Sequence, residues 1–118
     1  MKGRRDIEVE LTFLSTENGG RSKPAVTGYR PQFHYAGHDW DACHEYPDVE
    51  EVNPGDTVRA YFSFLSPAAH FGAVQPGMPF LVREGQRTVG YGVVTRLLGL
   101  ESSAAAATAL ASARTSQE

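Results

Sequence analysis

The sequence predicts an all-β fold and, within that class, a small antiparallel barrel. Three observations carry this. Apolar and polar residues alternate over several short stretches. Turn-forming residues separate those stretches, with 12 glycines and 7 prolines in 118 residues. No helical period occurs before residue 102. Period-two alternation marks a strand with one buried face. Closely spaced strands joined by turn chemistry build sandwiches or barrels, and closure also removes unpaired edges.

The elements follow in chain order. Residues 6–15 place Ile7, Val9, Leu11 and Phe13 on one face and Glu8, Glu10 and Thr12 on the other. Asn18-Gly19-Gly20 ends that strand, because Asn and Gly tolerate positive φ. Residues 25–27 and 32–36 are shorter strand candidates. In Asn53-Pro54-Gly55-Asp56, proline presets φ and glycine supplies the left-handed residue of a turn. Residues 56–65 repeat the alternation, with Val58, Ala60, Phe62 and Phe64 against Arg59, Tyr61 and Ser63. Pro76-Gly77-Met78-Pro79 turns into a strand over 79–83. Glu84-Gly85-Gln86-Arg87 links it, as a hairpin, to a third alternation: Val89, Tyr91 and Val93, with Gly90 and Gly92 opposite. Glycine there implies tight curvature or a close backbone approach. The barrel is expected over residues 1–100, followed by an Ala/Ser-rich tail over 101–118. Leu110 is the tail's one large apolar residue. So little apolar surface does not offset ordering entropy, and the tail is expected to be disordered or weakly helical.

Composition bounds the function. Eleven Lys+Arg against 14 Asp+Glu, net charge -3, argue against coating nucleic acid by bulk charge. One cysteine allows no intrachain disulfide. No run reaches the roughly 18 apolar residues of a membrane span. The basic start, Met1-Lys2-Gly3-Arg4-Arg5, leads into no long apolar segment, so no signal peptide is expected. The reading is one soluble, cytoplasmic domain without membrane contact.

The chemistry-bearing motifs are few. Gly19-Gly20-Arg21-Ser22-Lys23 lacks the spacing of a phosphate-cradling loop, so nucleotide binding by this chain alone is not expected. The richest polar stretch is His38-Asp39-Trp40-Asp41-Ala42-Cys43-His44-Glu45. It contains metal-ligand types without paired ligand spacing. It reads as a hydrated acidic loop with Trp40 pinned to the barrel, and no metal, cofactor or catalytic residue is expected. Cys43 and His44 are neighbours, which on a strand face opposite ways and make an awkward nucleophile–base pair. His70 has no serine or carboxylate partner in sequence and is placed in a loop. Residues 38–56 carry half of the 14 carboxylates and no Lys or Arg. Arg21, Lys23 and Arg30, and separately Arg83, Arg87 and Arg96, fall elsewhere. An acidic end and a basic end suit a charged partner.

Three motifs carry a resemblance: Gly19-Gly20-Arg21; Gly28-Tyr29-Arg30-Pro31-Gln32-Phe33; and Pro54-Gly55-Asp56. A fourth, over residues 80–95, is the strongest: Phe80-Leu81-Val82-Arg83-Glu84-Gly85-Gln86-Arg87-Thr88-Val89-Gly90-Tyr91-Gly92-Val93-Val94-Thr95. In order and near spacing they resemble the C-terminal barrel, the third domain, of bacterial elongation factor Tu, over roughly residues 6–98. The resemblance implies a closed six-stranded antiparallel barrel without a catalytic role. In that family the barrel packs on a GTP-binding domain and a second barrel, helps hold the T stem of aminoacyl-tRNA, and touches the nucleotide exchange factor. The chain starts where that third domain starts, so it looks like a stand-alone relative.

The resemblance also implies contact residues. The arginine after the paired glycines is Arg21, and the histidine that follows it is Ser22 here. The glutamine of the Gly-Tyr-Arg-Pro-Gln motif is Gln32. The Arg-Glu-Gly turn keeps Glu84 and Gly85. A threonine becomes Asp41, and a lysine becomes Ser66, with Pro67 in register. The last two changes make the surface less positive near a phosphate backbone. The expected function is a non-enzymatic binding module that recognises tRNA or a translation protein through Arg21, Gln32, Glu84 and Gly85. The alternative is a protein-interaction domain that anchors an unrelated partner through Trp40, Asp39 and Asp41 of the acidic loop.

Overall fold

The computed structural model describes residues 4–116. The first three residues of the basic start and the last two of the tail lie outside the described residues. The strands are β1 (Ile7–Phe13), β2 (Ala25–Val26), β3 (Gln32–Tyr35), β4 (His38–Glu45), β5 (Glu51–Val52), β6 (Thr57–Phe64), β7 (Pro79–Glu84) and β8 (Arg87–Leu97), followed by one helix, α1 (Leu100–Ser116). Six of the strands close into an antiparallel barrel in the order β1-β6-β4-β3-β7-β8, with β8 returning to β1. β2 and β5 form a separate two-stranded ladder.

The predicted alternation of β1 holds; in β6, Tyr61, expected on the polar face, is buried as well, covered by the Arg5 and Arg59 guanidiniums. Ile7, Val9, Leu11 and Phe13 are buried, as are Ala60, Phe62 and Phe64. The lumen is filled by aromatic rings. Phe33 stacks on Phe80 at 4.7 Å and meets Phe64 edge-on at 5.1 Å. His44 stacks on Phe62 at 4.0 Å.

β8 differs from its expected facing. Tyr91 and Val93 point out to solvent, and Gly90 and Gly92 face the lumen. Crowding explains this. Gly92 pairs with Phe80, and a Cβ on Gly92 would sit within contact distance of both the Phe80 ring and the Glu10 carbonyl oxygen. A register shift between Val82 and Arg83 lets Val89 also turn inward.

The polar stretch 38–45 is not a loop. It is β4, hydrogen-bonded to β3 on one side and β6 on the other. Alternation sends Asp39 and Asp41 outward and buries Ala42 and His44. Cys43 and His44 face opposite sides, as their adjacency predicts.

His70 follows a short 3-10 turn, Pro67–Ala69, and is fully buried. It stacks on Phe64 at 4.0 Å, meets Trp40 edge-on at 4.7 Å, and its Nδ1 lies 2.7 Å from the Tyr35 hydroxyl. Spatial pairing across 35 residues supplied a partner that sequence adjacency did not show.

Of the two forms expected for the tail, the helical one is found. Its anchor is Leu100, which is fully buried, together with Ser103 and Ala104. Ser103 Oγ donates to Asp6 Oδ1 at 2.6 Å, and the Phe64 amide donates to Asp6 Oδ2 at 2.8 Å. The buried Asp6 carboxylate therefore joins β1, β6 and α1. Residues 108–112 of the helix are exposed.

Candidate functional site

Arg21, Tyr29, Glu84 and Arg87 meet at one rim of the barrel. The two-residue hairpin turn between β7 and β8 sets this up. Gly85 takes φ +62 there, and Glu84 pairs with Arg87 across the turn. Glu84 accepts hydrogen bonds from Arg21 Nη1 and from the Tyr29 hydroxyl at the same oxygen, Oε2. Arg87 Nη2 lies 3.4 Å from Glu84 Oε1. The Arg21 guanidinium also covers the Tyr29 ring at 4.4 Å. Burial pushes the Glu84 carboxyl up, but the Tyr29 hydroxyl and the Arg21 guanidinium outweigh it and hold the carboxyl below its ordinary value. Burial, and then the Glu84 carboxylate, push the Tyr29 phenol up, so it stays a donor.

Gln32 lies on the adjoining outer face. It pairs with Arg83 on β7 and Asp41 on β4, so the three side chains form one cross-strand row. Arg83 neighbours Glu84, which brings this row to the rim. Among the described residues, the Gln32 carboxamide has no hydrogen-bond partner. The next row contains His34, flanked by Asp39 and Leu81. His34 Nδ1 is 2.7 Å from Asp39 Oδ1, and Arg83 Nη1 reaches back to within 3.2 Å of the same nitrogen. Arg83 Nη1 is 3.4 Å from Asp39.

The structure thus brings together Arg21, Glu84 and Gly85, with Gln32 on the row beside them. It separates the other set. Asp39 and Asp41 belong to the outer face, while Trp40 pairs with the buried Phe33 and packs inward on His70. The three alternate along one strand and do not share a surface. The structure adds two participants that the resemblance did not assign as contacts, Tyr29 and Arg83. The signal for Arg83 was available, since it directly precedes Glu84 in the chain. Nothing local signalled Tyr29, whose partner lies 55 residues away. Ser66 precedes the short 3-10 turn that carries the buried Pro67 and makes no side-chain capping hydrogen bond.

Among the described residues, no three His, Cys, Asp or Glu side chains gather as a metal site, and no helix is long and apolar enough to cross a membrane. The polar groups lie on a rim and an outer sheet face of a closed six-stranded antiparallel barrel. The family described as the elongation factor Tu C-terminal domain matches residues 1–98. The chain belongs to that family.

Proposed function

We propose that this chain is a non-enzymatic binding module of translation, acting in the cytoplasm, that recognises RNA of the tRNA type. The surface is the rim and outer row containing Arg21, Gln32, Glu84 and Gly85. Family membership supports the translation setting. The observation that carries the site is the convergence of the Glu84-Gly85 turn with Arg21, next to a row holding the unpartnered Gln32 carboxamide. The Arg21–Tyr29–Glu84 brace fixes the turn backbone, and a fixed backbone with a free amide beside it suits the shape-based reading of an RNA helix. Exposed Lys23 and Arg87 add cationic groups nearby.

Filter binding of aminoacyl-tRNA to the full chain across a salt series tests this. Binding at low salt is expected, with an affinity that falls as salt rises, about 0.7–0.9 log units per log unit of salt for each phosphate contacted. Gln32→Ala is expected to weaken binding without altering the thermal midpoint. A folded sample with no binding at low salt overturns the proposal.

A further inference from the structure

The outer face of β7 and β8 carries apolar side chains into solvent. Leu81 pairs with Tyr91 there, and Pro79 pairs with Val93. Leu81, Tyr91 and Val93 keep 38%, 49% and 40% of their surface exposed, and Pro79 is exposed as well. The four form a contiguous two-by-two block, since same-face neighbours lie about 7 Å apart along a strand and strands about 4.8 Å apart. The Tyr91 hydroxyl has no hydrogen-bond partner among the described residues. Charge differs on the two sides of the block. On the β1 side, Glu10 is in register with Val93 and exposed. Its other neighbour in register, Arg59, turns to Asp48 and Glu8 instead. Glu10 therefore has no ion pair among the described residues. On the β3 side stand His34, in register with Leu81, and Arg83, which leans back to His34 at 3.2 Å. Arg83 reaches Asp39 only at 3.4 Å, so its guanidinium keeps capacity for a second carboxylate.

We propose that this face joins two copies of the chain in a twofold dimer, with Glu10 of each copy against the partner's Arg83. The proposal does not rest on the RNA-binding reading above. A second copy is the occupant that the charges fit. A twofold axis lying in the face, through the middle of the block and closer to the strand direction than to its perpendicular, lays each β1 side over the other copy's β3 side. Glu10 then meets the partner's Arg83, and apolar block meets apolar block. An axis across the strands would set Glu10 against Glu10. The six barrel strands offer no free edge, so association uses a face. Tyrosine near the centre of the contact is the residue type that anchors interfaces, and its hydroxyl is open to a partner. Area sets the strength. A face four strands wide, about 20 Å across and about as long, presents roughly 400 Å² of plane per copy, against about 800 Å² of accessible surface per partner in a standard interface. The dimer is therefore small and weak, forming and dissociating with concentration.

Sedimentation equilibrium of the full chain, from micromolar to millimolar concentration, tests this. A monomer–dimer equilibrium is expected, with a dissociation constant on the order of 10–100 μM. Tyr91→Arg and Leu81→Arg are each expected to weaken association about tenfold while keeping the wild-type thermal midpoint, since both side chains lie in solvent in the single copy. Charge reversal tests the arrangement. Glu10→Arg alone sets cation against cation, and Arg83→Glu alone sets carboxylate against carboxylate, so each is expected to weaken dimerisation. Mixed together, the two variants are expected to form a heterodimer, because both contacts across the axis are then complementary. A wild type that stays monomeric over the whole range overturns the proposal and leaves the face to a different protein. A dimer that Tyr91→Arg and Leu81→Arg leave unchanged also overturns it, since another surface then joins the copies. If the mixed charge-reversed variants, folded by their thermal midpoints, associate no better than either alone, the pairing of Glu10 with the partner's Arg83 is overturned.

Discussion

Glu84 gathers a phenol and two guanidiniums around one carboxylate that is a third exposed. Charge-assisted hydrogen bonds contribute more than neutral ones, but partial exposure discounts them. Glu84→Gln keeps the shape and removes the charge. It is expected to cost about 1–2 kcal/mol at pH 7, read from urea midpoints. The folded carboxyl titrates below its ordinary value of 4.5, so its stabilisation is present above that pH and lost as pH falls through the folded value. The gap between wild type and Glu84→Gln should therefore close as pH falls well below 4.5. A gap that persists there would place the effect in packing rather than charge. At this scale the sequence was half legible. A Glu-Gly turn announces itself through glycine chemistry, and so did Glu84. Tyr29 did not, because a phenol reads equally well as core or contact until the opposite strand is in register.

Among the elements, β8 and α1 show what alternation does and does not reveal. Strand positions were legible because period-two patterning needs no knowledge of neighbours. The facing of β8 was not, because Phe80 and the Glu10 backbone, both on other strands, decide which side must be glycine. Gly92→Ala is expected to destabilise by several kcal/mol, since a backbone oxygen cannot yield as a flexible side chain can. Truncating the ring as well, Gly92→Ala with Phe80→Leu, should recover only part of the loss in chemical denaturation. The helix was legible in its alanines, but its anchor was not: Leu100 falls at the end of the barrel rather than inside the tail. An alanine-rich helix of this length is marginal alone and depends on docking. Leu100→Ala is expected to cost about 2–5 kcal/mol and to lower the helical signal in far-ultraviolet circular dichroism. Full retention of that signal would show that the helix is self-supporting.

For the whole molecule, two imidazoles link folding to pH. Burial lowers His44 to about 3 and His70 to about 4, against 6.5 for a free imidazole. Both are neutral in the fold. Between 6.5 and these values the unfolded chain binds protons that the folded chain does not, so stability is full above about 6.5 and falls as pH drops. Trp40, the one tryptophan, touches His70 edge-on at 4.7 Å and reports on it directly. Its fluorescence is expected to stay constant down to about pH 5 and change only as His70 charges near 4. His70→Phe should remove that change and flatten the stability profile. Folding into a closed barrel was readable from the sequence as a global outcome. The buried histidines were not, since their desolvation comes from four rings supplied by two other strands, β3 and β6.

The helix leaving the barrel has one more consequence. A 17-residue helix is about 25 Å long, and the molecule measures 53 × 30 × 25 Å. Such a body does not tumble equally about all its axes. Amide vectors aligned with the long axis reorient more slowly than those across it, and nitrogen-15 relaxation separates the two. Rotational diffusion therefore measures, without any ligand, how firmly Leu100 and Ser103 hold the helix to the barrel.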